Sequence, residues 1–485
     1  MLRYLAISIC ACLWLGTAQG AGMGYDEARH LLLRTGFAPT QDEVRVYSAL
    51  TRQQAVDRLL AETATQARIV APAWVEEALP PRREIREMAE EDRRMLQRDA
   101  VRKGFELRVW WYREMLETPT PLTERMTLFW HNHFVSSLEK VKGPQLMYRQ
   151  NLLLRRYALG NFGELLHAVA RDPAMVVYLD SASNRKSQPN ENFAREVMEL
   201  FTLGVGQYSE QDIKETARAF TGWSLDRESY AFRFYPMAHD DGQKTILGRS
   251  GNFDGDAVLD ILLAQPASAE FVVGKLWREF VAPQAPAVEV KRLAGIFRSA
   301  SYEVKPLLRA LFLSDSFYAK ENRAALIKSP VELLVGTARQ FDIRGIEPQL
   351  FALAGRQLGQ DIFAPPNVKG WPGGENWINS TTLLGRKQIM ARVFRAEEMP
   401  RNVSVSAGEQ GRDARIERRL AQMNSGVFDV ERFFSGFAGN EAAQRVQIEK
   451  LLLPLAPSQA IEGGAGAERI TFVRLLALDP AYQLK

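Results

Sequence analysis

His131 and His133 sit two residues apart in Phe129-Trp130-His131-Asn132-His133-Phe134, and the whole chain holds only five histidines. Neutral imidazole is a common ligand for divalent metals, so this pair is a candidate metal-binding element. Residues two apart on a regular helix point about 200° from each other, so one ion takes both only where the helix ends or unwinds. His239-Asp240-Asp241 offers another imidazole and two carboxylates, and His239 with Asp240 would complete a site begun by His131 and His133. The Asp-Asp-Gly run is equally ordinary turn chemistry, and both readings stand at this point. The letters His-Asn-His are not evidence for a nuclease, whose three residues come from separate elements.

A second set of residues lies on the helix expected from Glu191 to Leu203. Phe193, Val197, Leu200 and Gly204 share a narrow arc at 100° per residue, with Glu196 about 60° from its centre. A carboxylate at a core boundary needs a charge partner, a metal or a raised pKa. Arg156 or Arg171 would be the structural partner; in the catalytic reading Glu196 is a base, with Glu191 and Arg195 facing each other four residues apart. Trp223, Trp371 and Trp377 would form a platform for a flat ligand such as a sugar, or would plug the helical core. Asn252-Phe253-Asp254-Gly255-Asp256 opens like a calcium loop but lacks the later ligands, so capping by Asp254 explains it better. No phosphate-binding glycine loop, Gly-x-Ser-x-Gly elbow or His-Glu-x-x-His helix occurs.

The elements that must hold these residues are mostly helical. Thr40 to Glu43 and Thr51 to Gln54 fit the capping box. Arg82 to Leu116 reads as one long helix with a narrow stripe of Ile85, Met88, Met95 and Leu96. Thr120-Pro121 starts a helix running to about Ser136, and others follow at 145–159, 162–170, 191–203 and 210–220. The 230–248 segment alternates Phe232 and Phe234, turns at Asp240-Asp241-Gly242 and continues through Lys244 to Leu247, which predicts a two-stranded ribbon. More helices read at 256–264, 268–281, 287–300, 305–313, 330–341 and 381–396. The 364–380 segment, rich in Pro, Gly, Asn and Trp, is expected to be an ordered loop. A polar stretch at 400–411 reads as a linker, and a glycine-rich loop near Gly463 precedes the last helix. The expected fold class is mainly α: one large multi-helical domain with a small two-stranded β-ribbon.

At the N-terminus, Arg3 precedes the apolar run Leu5 to Leu15, and Ala18-Gln19-Gly20 follows. That is the layout of a Sec-type signal peptide at 1–20 with cleavage after Gly20, and it is too short to span a bilayer. No transmembrane span is expected in the remaining chain, and the protein is expected in the periplasm or outside the cell. Cys10 and Cys12 both lie in the leader, so residues 21–485 carry no thiol chemistry. The balance of 62 Lys and Arg against 58 Asp and Glu, a net charge of +4, argues against a nucleic-acid partner.

Several segments together resemble the large bacterial family catalogued as domain of unknown function 1800. They are the 129–134 hexapeptide, Arg155 to Phe162, Arg171 to Met175, Tyr178-Leu179-Asp180, Pro189 to Glu196, Leu200 to Gly204, Thr221-Gly222-Trp223, His239-Asp240 and Pro365 to Gly374. The resemblance covers nearly all of 21–485. It implies an exported protein whose gene tends to lie beside that of a phosphatase- or sulfatase-like family, domain of unknown function 1501. The family motifs coincide with His131, His133, Glu191, Arg195, Glu196, His239 and Asp240. Two functions follow as expectations. One is a metal-assisted hydrolase acting on an envelope or extracellular substrate, with a divalent metal on the histidines and Asp240, Glu196 as base and Arg195 positioning an anion. The other is a non-catalytic scaffold that binds the phosphatase-like neighbour or an envelope polymer. The first requires the histidines and a carboxylate in one pocket; the second pairs them separately with backbone or arginine and packs the tryptophan loop inward.

Overall fold

Local signals set most helix starts. Thr40 and Thr51 accept the amides of Glu43 and Gln54, whose side chains accept the cap amides in return, and the helices Gln41–Ser48 and Arg52–Ala61 follow. Asp254 caps Gly255–Ala264 by accepting from the Ala257 amide, so the apparent calcium loop is a helix start. The structure, a computed structural model, describes residues 21–394, 425–459 and 468–485. The proposed leader, the polar stretch at 400–411 and the glycine-rich loop near Gly463 lie outside them.

The long helix expected over 82–116 is two, Arg82–Glu87 and Glu90–Glu117, because Met88 and Ala89 take extended backbone angles. Buried residues of the second begin only at Lys103, so its first half stands in solvent and Met95 is exposed. No single helix among the described residues is long and apolar enough to cross a membrane.

The chain is mainly helical, with three small two-stranded antiparallel sheets among the described residues. The expected ribbon is corrected in its pairing. Phe232–Phe234 pairs with Trp223–Leu225, and Lys244–Ile246 pairs with Arg249–Gly251. Two causes are visible. The Pro236–Ala238 turn of 3-10 helix interrupts the path between the anticipated strands, and Leu247 and Gly248 both take positive φ, 48° and 77°, which is the tight-turn geometry of a hairpin.

One contiguous apolar core runs from Ala28 to Tyr482. The Pro121–His133 helix passes through it with every residue from Leu122 to His131 buried. A helix apolar or satisfied on all sides belongs inside a protein. Its buried carboxylate, Glu124, accepts from Arg155 at 2.7 and 2.9 Å and from the Trp111 indole at 2.8 Å, which balances the charge locally. The C-terminal end of this helix delivers His131, Asn132 and His133 to the meeting point of two other segments.

Candidate functional site

The two histidines leave the helix in different directions, as their spacing requires. His131 faces the 363–371 segment: its Nε2 accepts the Phe363 amide at 3.1 Å, and its ring lies against Trp111, Phe363 and Trp371. An Nε2 that accepts leaves the neutral ring its proton on Nδ1. Burial, with Arg108 nearby, pushes His131 down to about 3. Asn132 holds the same segment, accepting from the Trp371 amide at 2.7 Å and donating to the Trp371 carbonyl at 3.2 Å.

His133 faces the helix at 192–202. Its Nε2 donates to the Phe201 carbonyl at 3.1 Å, and its Nδ1 accepts from Lys275 Nζ at 3.0 Å. Burial and Lys275 hold His133 well below the ordinary histidine range. The helix it touches is α-helical at Asn192–Glu196 and then widens into a π-helical turn at Val197–Thr202. Burial there recurs every four residues, at 193, 197 and 201 and at 194, 198 and 202. A widened turn leaves carbonyls misaligned with the regular ladder, and such turns recur at functional sites. Phe201 gives its carbonyl to His133, Leu200 gives its own to Lys275 at 3.2 Å, and Thr202 Oγ1 donates to the Val197 carbonyl at 2.5 Å.

With both segments anchored to one helix end, Glu196 and Lys369 come within electrostatic reach of each other. Glu196 is half-buried and takes no ion pair or hydrogen bond among the described residues. Burial and then Glu199 push its carboxyl up, against the pull of Lys369 and Arg195. Glu199 accepts from the Tyr208 hydroxyl at 2.8 Å. Neither Arg156 nor Arg171 partners Glu196: Arg171 pairs with Asp256 and lies over Trp223, and Arg156 lies over Tyr157. Arg195 bridges Glu191 at 3.3 Å and Glu210 at 2.8 Å, so two of the three expected catalytic residues are engaged with each other.

His239 and Asp240 belong to a different place. His239 Nδ1 donates to the Thr221 carbonyl at 2.9 Å, with its ring edge on Phe234. Asp240 takes Arg218 through two bonds, at 2.8 and 3.0 Å, and this guanidinium holds its carboxyl down at about 2. Both residues close the turn between the Trp223–Phe234 ribbon and Lys244. Among the described residues, no three His, Cys, Asp or Glu side chains gather as the ligands of one ion would, so the four expected ligands are not brought together. Trp223, Trp371 and Trp377 are all buried, Trp371 against His131 and Trp223 against Phe220 and Phe232, and they present no common face.

A model of the family described as protein of unknown function, DUF1800, matches residues 30–484. The chain belongs to the DUF1800 family. No curated protein and no solved structure matches this DUF1800 chain. The sequence reading missed Asn132, Lys275, Lys369 and Tyr208. Asn132 lies between the two histidines, and Lys275 interrupts the apolar run Val272 to Trp277, a position where a charge needs a purpose. A surface depression of about 530 Å³ lies elsewhere on this DUF1800 protein, lined by Leu263, Arg298 and Tyr302 among others, and includes none of these residues.

Proposed function

We propose that this chain is an exported, non-catalytic binding module whose recognition face is the junction of Glu196, Glu199, Tyr208 and Lys369. One observation carries the reading: His131 and His133 each bind the backbone of another segment through a ring nitrogen. A metal ligand needs a free nitrogen lone pair, and those of His131 and His133 are taken by the Phe363 amide and by Lys275. These residues therefore act as latches, and what they assemble is a surface. The phosphatase- or sulfatase-like protein of the neighbouring family is the proposed partner.

The metal-assisted hydrolase is the competing reading, and one feature favours it: Glu196 is half-buried, unpaired and raised by burial and Glu199, as a general acid or base would be. A single pair of measurements separates the two. Calorimetric titration of the purified neighbour protein should show a complex that Glu196→Lys and Lys369→Glu each weaken at least tenfold. This chain alone, reloaded with divalent ions, should show no turnover of phosphate, sulfate or carboxylate esters that His131→Ala abolishes. Metal-dependent turnover with no complex would overturn the proposal.

A further inference from the structure

The buried residues of the Glu90–Glu117 helix start at Lys103, so Glu90 to Arg102 forms an arm about 20 Å long without a core of its own. Ion pairs three and four residues apart brace it: Glu90 with Arg94, and Arg102 with both Asp99 and Glu106 at 2.6 Å. Lys103 Nζ fastens its base to Glu77 at 2.5 Å and to Asp99 at 2.7 Å. At 100° per residue, Glu91, Met95, Arg98 and Arg102 fall within an arc of about 60°, and Lys103 and Leu107, which face inward, lie more than about 90° from its middle. All four side chains of the arc are exposed, Met95 by 54%. Glu91 and Arg98 take no ion pair or hydrogen bond among the described residues, and Asp92 adds to the acidic end.

A face with an acid at one end, a methionine in the middle and a base at the other complements itself only when one copy is reversed. Glu91 lies about 6 Å along the helix axis from Met95, and Arg98 about 4.5 Å from it on the other side. An antiparallel pair with Met95 against Met95 therefore sets Glu91 of each copy beside Arg98 of the other, twice by symmetry, whereas a parallel pair sets like charge on like. We propose that Glu91, Met95 and Arg98 form a self-association surface on which a second copy of this chain docks antiparallel about a two-fold axis. The contact takes Met95 out of water and gives the two unpaired charges their partners. Two crossing helix arms make a small interface, so the dissociation constant is expected on the order of 10 µM.

The test is sedimentation velocity of the purified protein from about 1 to 100 µM, a range that brackets the expected constant. A reversible shift from monomer to dimer is expected, weaker at high salt. Glu91→Arg and Arg98→Glu should each weaken the dimer at least tenfold, since each sets like charge on like at both ends of the contact. The double variant, with the two charges exchanged, should associate as wild type does, and an equimolar mixture of the two single variants should form a heterodimer. Met95→Lys, which places two ammonium groups at the axis, is a further variant should either charge reversal misfold, and circular dichroism checks folding in each. A monomer across the whole range would overturn the proposal, as would a dimer that the charge reversals leave unchanged, the latter placing the contact on another face.

Discussion

The Phe363 amide donates to His131 Nε2 across 3.1 Å, and this bond joins two residues 232 positions apart. It fixes the start of the tryptophan segment to the end of the central helix, and both groups are buried. Replacing His131 by Ala leaves the amide unpaired and opens a void, and should cost about 3 kcal/mol. The expected signature beyond lost stability is faster amide exchange at 363–371, measurable by mass spectrometry. A uniform loss of protection across the chain would mean that the latch has no local role.

Three buried histidines should make the protein acid-sensitive. Burial, with Arg34 nearby, pushes His30 down to about 3; His131 is held at about 3, and His133 lies well below its ordinary value. Each stays neutral when folded and protonates near pH 6.5 when unfolded. Their contribution is therefore complete above about pH 6.5 and declines as pH falls toward about 3. At pH 5 each accounts for about 2 kcal/mol of lost stability. Urea unfolding at pH 7.5 and 5 should show this decline, and His30→Gln should reduce it by about one histidine's share. An unchanged slope in the variant would remove His30 from the account.

Lys275 has its own window. Its ammonium donates to His133 Nδ1 and the Leu200 carbonyl, and burial, with Arg278 adding to it, pulls it down to about 7. A lysine lowered in the folded state supports stability most above its unfolded value, about 10.4, and loses that support as pH falls to about 7. The stability of wild type relative to Lys275→Met should therefore fall by about 3 kcal/mol between pH 10 and pH 7. Paired denaturant titrations at those two values check it. A difference that does not move with pH would mean that Lys275 stays charged at both.

What the sequence made legible follows from how local each determinant is. The capping boxes at Thr40 and Thr51 involve four consecutive residues, and both form as expected. The ribbon pairing was misread because Asp-Asp-Gly is a strong hairpin signal, whereas here Asp240 is committed to Arg218 and the turn falls at Leu247-Gly248. The π-helical turn had no local sign, since its carbonyls are satisfied by His133 and Lys275 from distant helices. His131 and His133 were recognisable as chemical groups, but their partners include a backbone amide and a backbone carbonyl, which no side-chain pattern reveals.

Gly370 tests whether the tryptophan segment must lie where it does. Its φ is +80°, and a Cβ there would sit 2.2 Å from Asn132 Oδ1 and 2.8 Å from the Asn132 carbonyl. Both the left-handed backbone and the contact oppose any larger residue. Gly370→Ala should cost about 3 kcal/mol and break the paired bonds between Asn132 and Trp371. Asn132→Ala removes those bonds and the nearer clash together, so the double variant should cost clearly less than the two single costs combined. Urea unfolding gives the energies, and a red shift of tryptophan emission in Gly370→Ala would report Trp371 leaving its place beside His131. Strict additivity would show that Gly370 and Asn132 act independently, and that the close approach of the segment to the helix end is not what holds it.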